Sequence, residues 1–235
     1  MTSRTYATLD RNRLGPGLLL DDSDLQITTS IACDGARKVL GSLPVMSGEY
    51  AFECYVWSTS QGNLAGLVSI GVAQPNSPLD EGVGNDALSV GYWPADGIVK
   101  SDSSTLSSPG KMSERRCFGV HLSLSPSSAT CDFLVDGAVV YTATLPTGKA
   151  WLPALTIGSS SPADLNAAVN FGSWRFDRFD NTLRYGWSQQ SAGLPTIYVS
   201  LASDAFMSSA GDSPANTPFA PCVLNASQFS VNSSA

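Results

Sequence analysis

The chain has 235 residues, 43% of them hydrophobic but only 14% charged, and a formal net charge of −7. That length allows one large β-domain or a domain with an appendage. With no basic cluster beyond Arg115-Arg116, the Lys/Arg footprint of a nucleic-acid binder is missing. No apolar run approaches the roughly eighteen residues of a membrane helix, and MTSRTYATLD lacks the apolar core of a signal peptide.

Met1 to Leu9 reads as a short polar arm and Asp10 to Gly17 as a turn cluster. Leu18-Leu19-Leu20 predicts a brief strand, Asp21-Asp22-Ser23-Asp24 a polar turn, and Leu25 to Ala32 an alternating strand. The four oxygen-rich residues lack the glycine bend of a calcium loop, so a solvated hairpin turn is the expectation. Arg37 to Leu43 carries another strand. In Ala51 to Trp57, together with Tyr50, the residues Tyr50, Phe52, Cys54 and Val56 share one face and Glu53, Tyr55 and Trp57 the other. Leu67 to Ala73 is an apolar strand whose central Gly71 marks a close approach of another backbone. Gln74 to Asp86 holds two prolines and two glycines, which predicts a long connection of the kind that often carries function. Ala87 to Trp93 is a strand, Pro94 to Gly97 a turn, Ile98 to Lys100 a short strand, and Ser101 to Lys111 a second polar loop.

The clearest stretch is Arg115 to Ala143. Phe118, Val120, Leu122 and Leu124 alternate with Cys117, Gly119, His121 and Ser123, the period of a strand with one buried face. Ser125 to Ser128 interrupts with a proline. Cys131, Phe133 and Val135 alternate again, Asp136-Gly137 signals a tight hairpin, and Ala138 to Ala143 returns as the third strand. Trp151 to Ile157 and Ala167 to Gly172 are two more strands. No window repeats apolar residues at helical spacing. Short strands with turns between them predict an all-β antiparallel sandwich.

Catalytic sets are missing from the sequence. His121 is the single histidine and shares a strand row with Ser123, but no G-x-S-x-G elbow accompanies it. The four glutamates, at 49, 53, 81 and 114, suggest no pair flanking a sugar site. Gly82-Val83-Gly84 is too short for a phosphate loop and opens no helix. Cys33, Cys54, Cys117, Cys131 and Cys222 are odd in number and form no C-x-x-C pair, which points to reduced thiols in a reducing compartment. Without secretion, the glycosylation patterns at Asn225 and Asn232 carry no weight. The expectation is a protein that is not an enzyme, with no metal and no cofactor.

Five motifs, in order, resemble the SPRY domain family. Ser47-Gly48-Glu49-Tyr50 with Phe52-Glu53 looks like the strand that opens the SPRY core, and Ser69 to Ala73 like its "iGva" strand. Gly119 to Leu124 followed by Cys131 to Gly137 resembles the SPRY hairpin, with Asp-Gly where Asn-Gly is usual. Trp151 to Ala154 resembles the "lyPav" strand, and Asn170-Phe171-Gly172, with Trp174 and Phe176, the closing "NFG..pF". The resemblance spans about Thr8 to Asp177. The lead-in, Ala7 to Asp10, Gly15 to Leu20 and Leu25 to Thr29, is similar to SPRY modules of phage and bacterial proteins. No RING, B-box or SOCS segment is present, so a ubiquitin-ligase role is not supported.

The resemblance implies a SPRY or concanavalin-like jelly roll that recognises a peptide, protein or other ligand on loops at one end of the sandwich. The corresponding loops are Gln74–Leu79, with Asn76 and Leu79; Tyr92–Asp96, with Tyr92, Trp93 and Asp96; and Ile157–Ser160, with Gly158 and Ser159. Tyr92 and Trp93 are the expected anchors. Because adjacent strand residues face opposite ways, at least one of the two rings is expected to be exposed.

The expected division is a sandwich over 1–177 and an irregular extension over 178–235. The extension is rich in Ser, Ala, Pro and Asn, dotted with Phe206, Phe219, Val223, Leu224 and Phe229. It has little capacity to fold alone, so it is expected to dock on a neighbouring subunit. Together with the low charge and the lead-in, this favours a non-catalytic recognition and structural module of a virion: a phage tail-tip, fibre or exposed capsid-associated protein. Such a protein would form a homo-oligomer in a multi-subunit assembly and bind a host surface protein or glycan, without nucleic acid or membrane insertion. The alternatives are a soluble, cytoplasmic SPRY-type peptide-binding adaptor and a carbohydrate-binding β-sandwich.

Overall fold

The computed structural model describes residues 6–29, 35–58, 67–111, 117–158 and 165–172. Every regular element among them is a strand. In chain order these are β1 (Leu9–Leu14), β2 (Leu18–Leu20), β3 (Gln26–Thr29), β4 (Arg37–Gly41), β5 (Gly48–Ser58), β6 (Leu67–Ala73) and β7 (Ser89–Trp93). They continue as β8 (Ile98–Ser101), β9 (Ser104–Ser107), β10 (Cys117–Leu124), β11 (Ala129–Val135), β12 (Ala138–Thr144), β13 (Leu152–Gly158) and β14 (Leu165–Asn170). The first sheet has the order β1-β4-β13-β6-β7-β8-β9 and the second the order β12-β11-β10-β5-β14-β3-β2. All the strand pairings are antiparallel, so the chain is an antiparallel β-sandwich.

The meander sets the second sheet. Phe118 opposes Val135 on one side and Cys54 on the other, and Val120 opposes Phe133 and Phe52. The alternation read from sequence therefore becomes one continuous apolar face across three strands. Asp136 and Gly137 both adopt the left-handed conformation, with φ 49° and 87°, as a two-residue hairpin turn requires. The first sheet supplies Val39, Ile70, Val72, Val90, Tyr92, Leu155 and Ile157 to the same core. The Tyr92 ring packs at 6.2 Å from Phe118 and 6.3 Å from Phe133, so aromatic contacts cross the gap between the sheets. Phe52 and Phe171 meet at 5.7 Å. Burying each such ring contributes on the order of 2 kcal/mol.

Two polar stretches expected as turns contain strands. Asp10 to Gly17 was expected to be a turn cluster, yet Leu9–Leu14 pairs with β4, and the turn is confined to Gly15–Gly17. As the edge of its sheet, β1 needs only one bonded side, and it carries charge outward at Arg11. Ser101 to Lys111 likewise contains β9, joined to β8 through Asp102 and Ser103 at φ 51° and 57°. Asp tolerates that conformation better than most residues, a signal that a loop reading of SDSSTLSSPGK passes over. In the Asp21–Asp24 turn, Asp21 Oδ1 accepts the backbone N–H groups of Leu25 and Gln26 at 3.1 and 3.0 Å, which organises the hairpin directly. The expected extension over 178–235 lies outside the described residues.

Candidate functional site

The register of the first sheet brings several connections to one end of the sandwich. Gly158 opposes Leu67, Ile157 opposes Arg37, and Tyr92 opposes Ile70. The end of β13, the start of β4 and the Trp93–Gly97 turn therefore lie together, at the end where β6 begins. Glycine makes the close approaches possible. A Cβ on Gly158 would lie 2.3 Å from Gly35 O, and one on Gly97 would lie 2.3 Å from the Gly110 carbonyl carbon.

The Gln74–Leu88 connection starts at the opposite end, after Ala73, and crosses the outer face of the first sheet. Lys38 N–H donates to Leu79 O at 2.9 Å. Val83 N–H donates to Thr156 Oγ1 at 2.7 Å, and Val83 O accepts the Trp93 indole N–H at 2.9 Å. Val83 and Leu79 join Leu40, Ala73, Leu152 and Ala154 in a second, smaller apolar core on that outer face. At its far reach Gly82 lies flat on the Trp93 ring, where a Cβ would sit 2.5 Å from two ring carbons. The connection thus delivers Asp80 and Glu81 to the loop end, both exposed, beside half-buried Arg37, whose Nη1 donates to Asp80 O at 3.2 Å. Exposed Asp96 is presented there by the neighbouring turn.

A buried polar network pins the crossing. Lys38 is fully buried, and its ammonium donates to Ser77 Oγ and to Asp86 Oδ2. Asp86 also accepts from Ser89 Oγ at 2.7 Å and from Leu88 N–H at 2.8 Å. Burial works to raise the Asp86 pKa, but the bonds from Lys38 and Ser89 outweigh it and hold the carboxyl below the ordinary aspartate range. Ser77 beside Lys38 resembles a Ser/Lys nucleophile pair in composition. The ammonium is tied to Asp86 and both residues are buried, so the group works as a fastener.

On the outer face of the second sheet, His121 Nδ1 lies 3.0 Å from Asp132 Oδ2, and Thr142 Oγ1 donates to Asp132 Oδ1 at 2.6 Å. An acid from the neighbouring strand therefore orients the single histidine. Deeper on this face Glu53 is buried and accepts from Asn170 Nδ2 at 2.9 Å and Cys117 Sγ at 3.4 Å. Cys54 and Cys131 point into the core, where burial pushes both thiols up and away from nucleophilic use. Among the described residues no group of three or more His, Cys, Asp or Glu is placed to hold a metal ion.

The residues expected at the site are only partly gathered. Trp93, Asp96 and Gly158 share the loop end, and Leu79 borders it, half-buried against Leu40 and Val83. Asn76 is exposed but sits at the other end, next to where Gln74 bonds Leu88. Ser159 lies outside the described residues. The expected exposed ring is absent: Tyr92 is 0% exposed and Trp93 4%. Alternation holds, with Tyr92 facing the main core, but the crossing connection covers the opposite face and Lys100 Nζ caps Trp93 at 4.5 Å. Asp80, Glu81 and Arg37 were missed by the sequence reading. Their one signal was the length of the connection, which is enough to cross the sheet.

The fold has relatives among solved structures. A human SPRY domain superposes with TM-score 0.55 at 16% identity, over 68% of this chain and 98% of its own. The SPRY domain of human HERC1 matches with TM-score 0.55 at 16% identity, over 71% and 99%. The TRIM65 PSpry domain matches with TM-score 0.52 at 14% identity, over 71% and 92%. No family model matches the chain, nor does any curated protein. The sandwich is thus of the SPRY type in its fold.

Proposed function

We propose that this chain is a non-catalytic protein-recognition module, and that it takes a positively charged segment of a partner protein on the loop end built by Arg37, Asp80, Glu81 and Asp96. The observation that carries this reading is the fastening of the Gln74–Leu88 connection. Its buried Lys38–Asp86 pair and the Gly82–Trp93 contact hold the exposed carboxylates in place before any partner arrives. Pre-organisation of this kind lowers the ordering cost of binding. Three exposed acidic side chains at one end, on a chain of net charge −7, favour a basic segment and speed its encounter.

The SPRY-type fold supports the adaptor reading, because SPRY domains are interaction modules. The phage or virion role rests on the lead-in, the low charge and the expected docking of the extension, and the structural neighbours give it no support. A carbohydrate site in which Tyr92 or Trp93 stacks on a sugar is disfavoured, because both rings are buried. Selection from a displayed peptide library tests the proposal. Selected peptides should be basic, and the Asp96→Lys and Glu81→Lys variants should bind them roughly tenfold or more weakly. Asn76→Lys, at the other end, should leave binding intact. A library that yields no binder, or binders sensitive to Asn76→Lys alone, rejects the loop end as the site.

A further inference from the structure

One row of residues on the outer face of the second sheet is buried although no described strand lies over it. The registers align Asn170 on β14 with Glu53 on β5, Gly119 on β10, Leu134 on β11 and Val139 on β12. Val169, Cys54, Phe118 and Phe133, their neighbours along the strands, belong to the main core, so the row faces outward. Asn170, Glu53 and Gly119 are nevertheless buried, and Leu134 is only 1% exposed. Exposure returns at Val139, which is 50% exposed. A bare sheet face cannot hide a leucine from water. The cover therefore runs across the strands from β14 to β11 and stops short of β12.

We propose that residues 173–178, SWRFDR, are this cover: a strap of the same chain that crosses the outer face along the row and lays Trp174 and Phe176 on Gly119 and Leu134. The exit of the chain points there. β14 ends at Asn170, the head of the row, and Gly172 turns the backbone with φ 92°. Its N–H donates to Asn170 Oδ1 at 2.8 Å, and the same side chain donates to Glu53 Oε1 at 2.9 Å on the outer face. The leaving chain is thus held against an outward-facing side chain. The length fits, since three strand spacings from β14 to β11 are about 14 Å, or about four to five extended residues. The pattern fits as well: Trp174 and Phe176 alternate with Ser173, Arg175 and Asp177, which gives an extended segment one apolar side. Gly119, without a side chain, opens a trough between Glu53 and Leu134 for the rings. Arg175 and Arg178 bring positive charge to a row that buries the Glu53 carboxylate. The other chain entering this region, 112–116, joins β10 at Cys117, one row nearer the loop end, and Met112 is its single apolar residue. The loop-end carboxylates belong to the first sheet, so this inference is independent of the partner reading above.

The experiment is maleimide labelling of the native thiols in the full chain, for wild type, Met112→Asp and the double variant Trp174→Asp, Phe176→Asp, with labelled positions found by peptide mass. Cys117 shares the covered face and is buried beside Glu53, so it reports on the strap. It should react roughly tenfold or more faster in the double variant than in wild type. Cys54 and Cys131 lie in the core and should stay unlabelled throughout, which shows that the sandwich is still folded. Met112→Asp should leave Cys117 slow. Should the double variant unfold, a second measurement decides: a short bismaleimide should join the two cysteines of the variant Leu134→Cys, Phe176→Cys within one chain. An unchanged Cys117 rate in a folded double variant, acceleration by Met112→Asp, or a link between positions 134 and 176 that is absent or joins two chains would overturn the proposal.

Discussion

Each sheet carries a basic side chain paired with an aspartate on its outer face, and the two pairs differ in nearly every physical respect. Lys38–Asp86 is sealed beneath the Gln74–Leu88 connection, with Ser77 and Ser89 satisfying the remaining carboxylate lone pairs. His121–Asp132 lies across two adjacent strands, half-buried, with Thr142 as its third member. The first joins a strand to a loop forty-eight residues away. The second joins β10 to β11, which seven residue pairs already hold in register. A polar pair matters most where no ladder does its work. The loop crossing has few backbone bonds to the sheet, so its position depends on the buried pair and on Val83.

Removing the Asp86 carboxylate should therefore produce the largest effect. Asp86→Ala leaves a buried ammonium without its counter-ion and should cost about 3–5 kcal/mol, read as a lowered urea midpoint at unchanged slope. Lys38→Met should cost less, because Asp86 keeps its bonds from Ser77, Ser89 and the Leu88 N–H. If the two losses were equal, the neutral donors would be contributing nothing.

Acid should act on the same pair. The folded Asp86 pKa lies below its ordinary value, so its stabilisation is fully present above the unfolded aspartate value of about 4 and is lost as pH falls through the lower folded value. Acid unfolding below about pH 4 should be shallower in Asp86→Asn than in wild type, because the variant has already lost that proton-linked contribution. Identical slopes would detach the pair from the acid transition. Gly82→Ala should come next, at about 1–3 kcal/mol, since a methyl group at that position must displace the Trp93 ring. A changed indole emission should accompany the loss, and peptide binding at the loop end should weaken with it.

How far the sequence revealed these features depended on whether a signal was local. The β10–β12 meander was legible because period two and Asp136-Gly137 are written within thirty residues, and Gly71 announced its close approach correctly: a Cβ there would lie 2.0 Å from Val90 O. The covering of the first sheet was not legible. QPNSPLDEGVGND reads as an exposed connection because only Leu79 and Val83 are apolar, yet those two join the outer-face core and, with the buried Lys38–Asp86 pair, seat it on the sheet. Alternation gave Tyr92 and Trp93 opposite directions correctly and then failed on exposure, since it assumes that the second face meets water. Lys38 gave no warning either. A lysine flanked by Arg37 and Val39 looks like an edge residue until Ser77 and Asp86 arrive from the far side of the connection.

The smallest expected effect comes from the second pair. His121→Ala should change stability by less than about 1 kcal/mol, the usual worth of a part-exposed hydrogen-bonded pair. The β10–β11 register survives without it, and Thr142 continues to donate to Asp132. Asp132→Asn should likewise stay within about 1 kcal/mol, because an amide oxygen can still accept from Thr142. A loss from either variant approaching that of Asp86→Ala would mean that His121 and Asp132 are paired in surroundings as dry as those of Lys38. In that case it would be the depth of burial, and not the attachment of an otherwise unladdered loop, that sets the worth of both pairs.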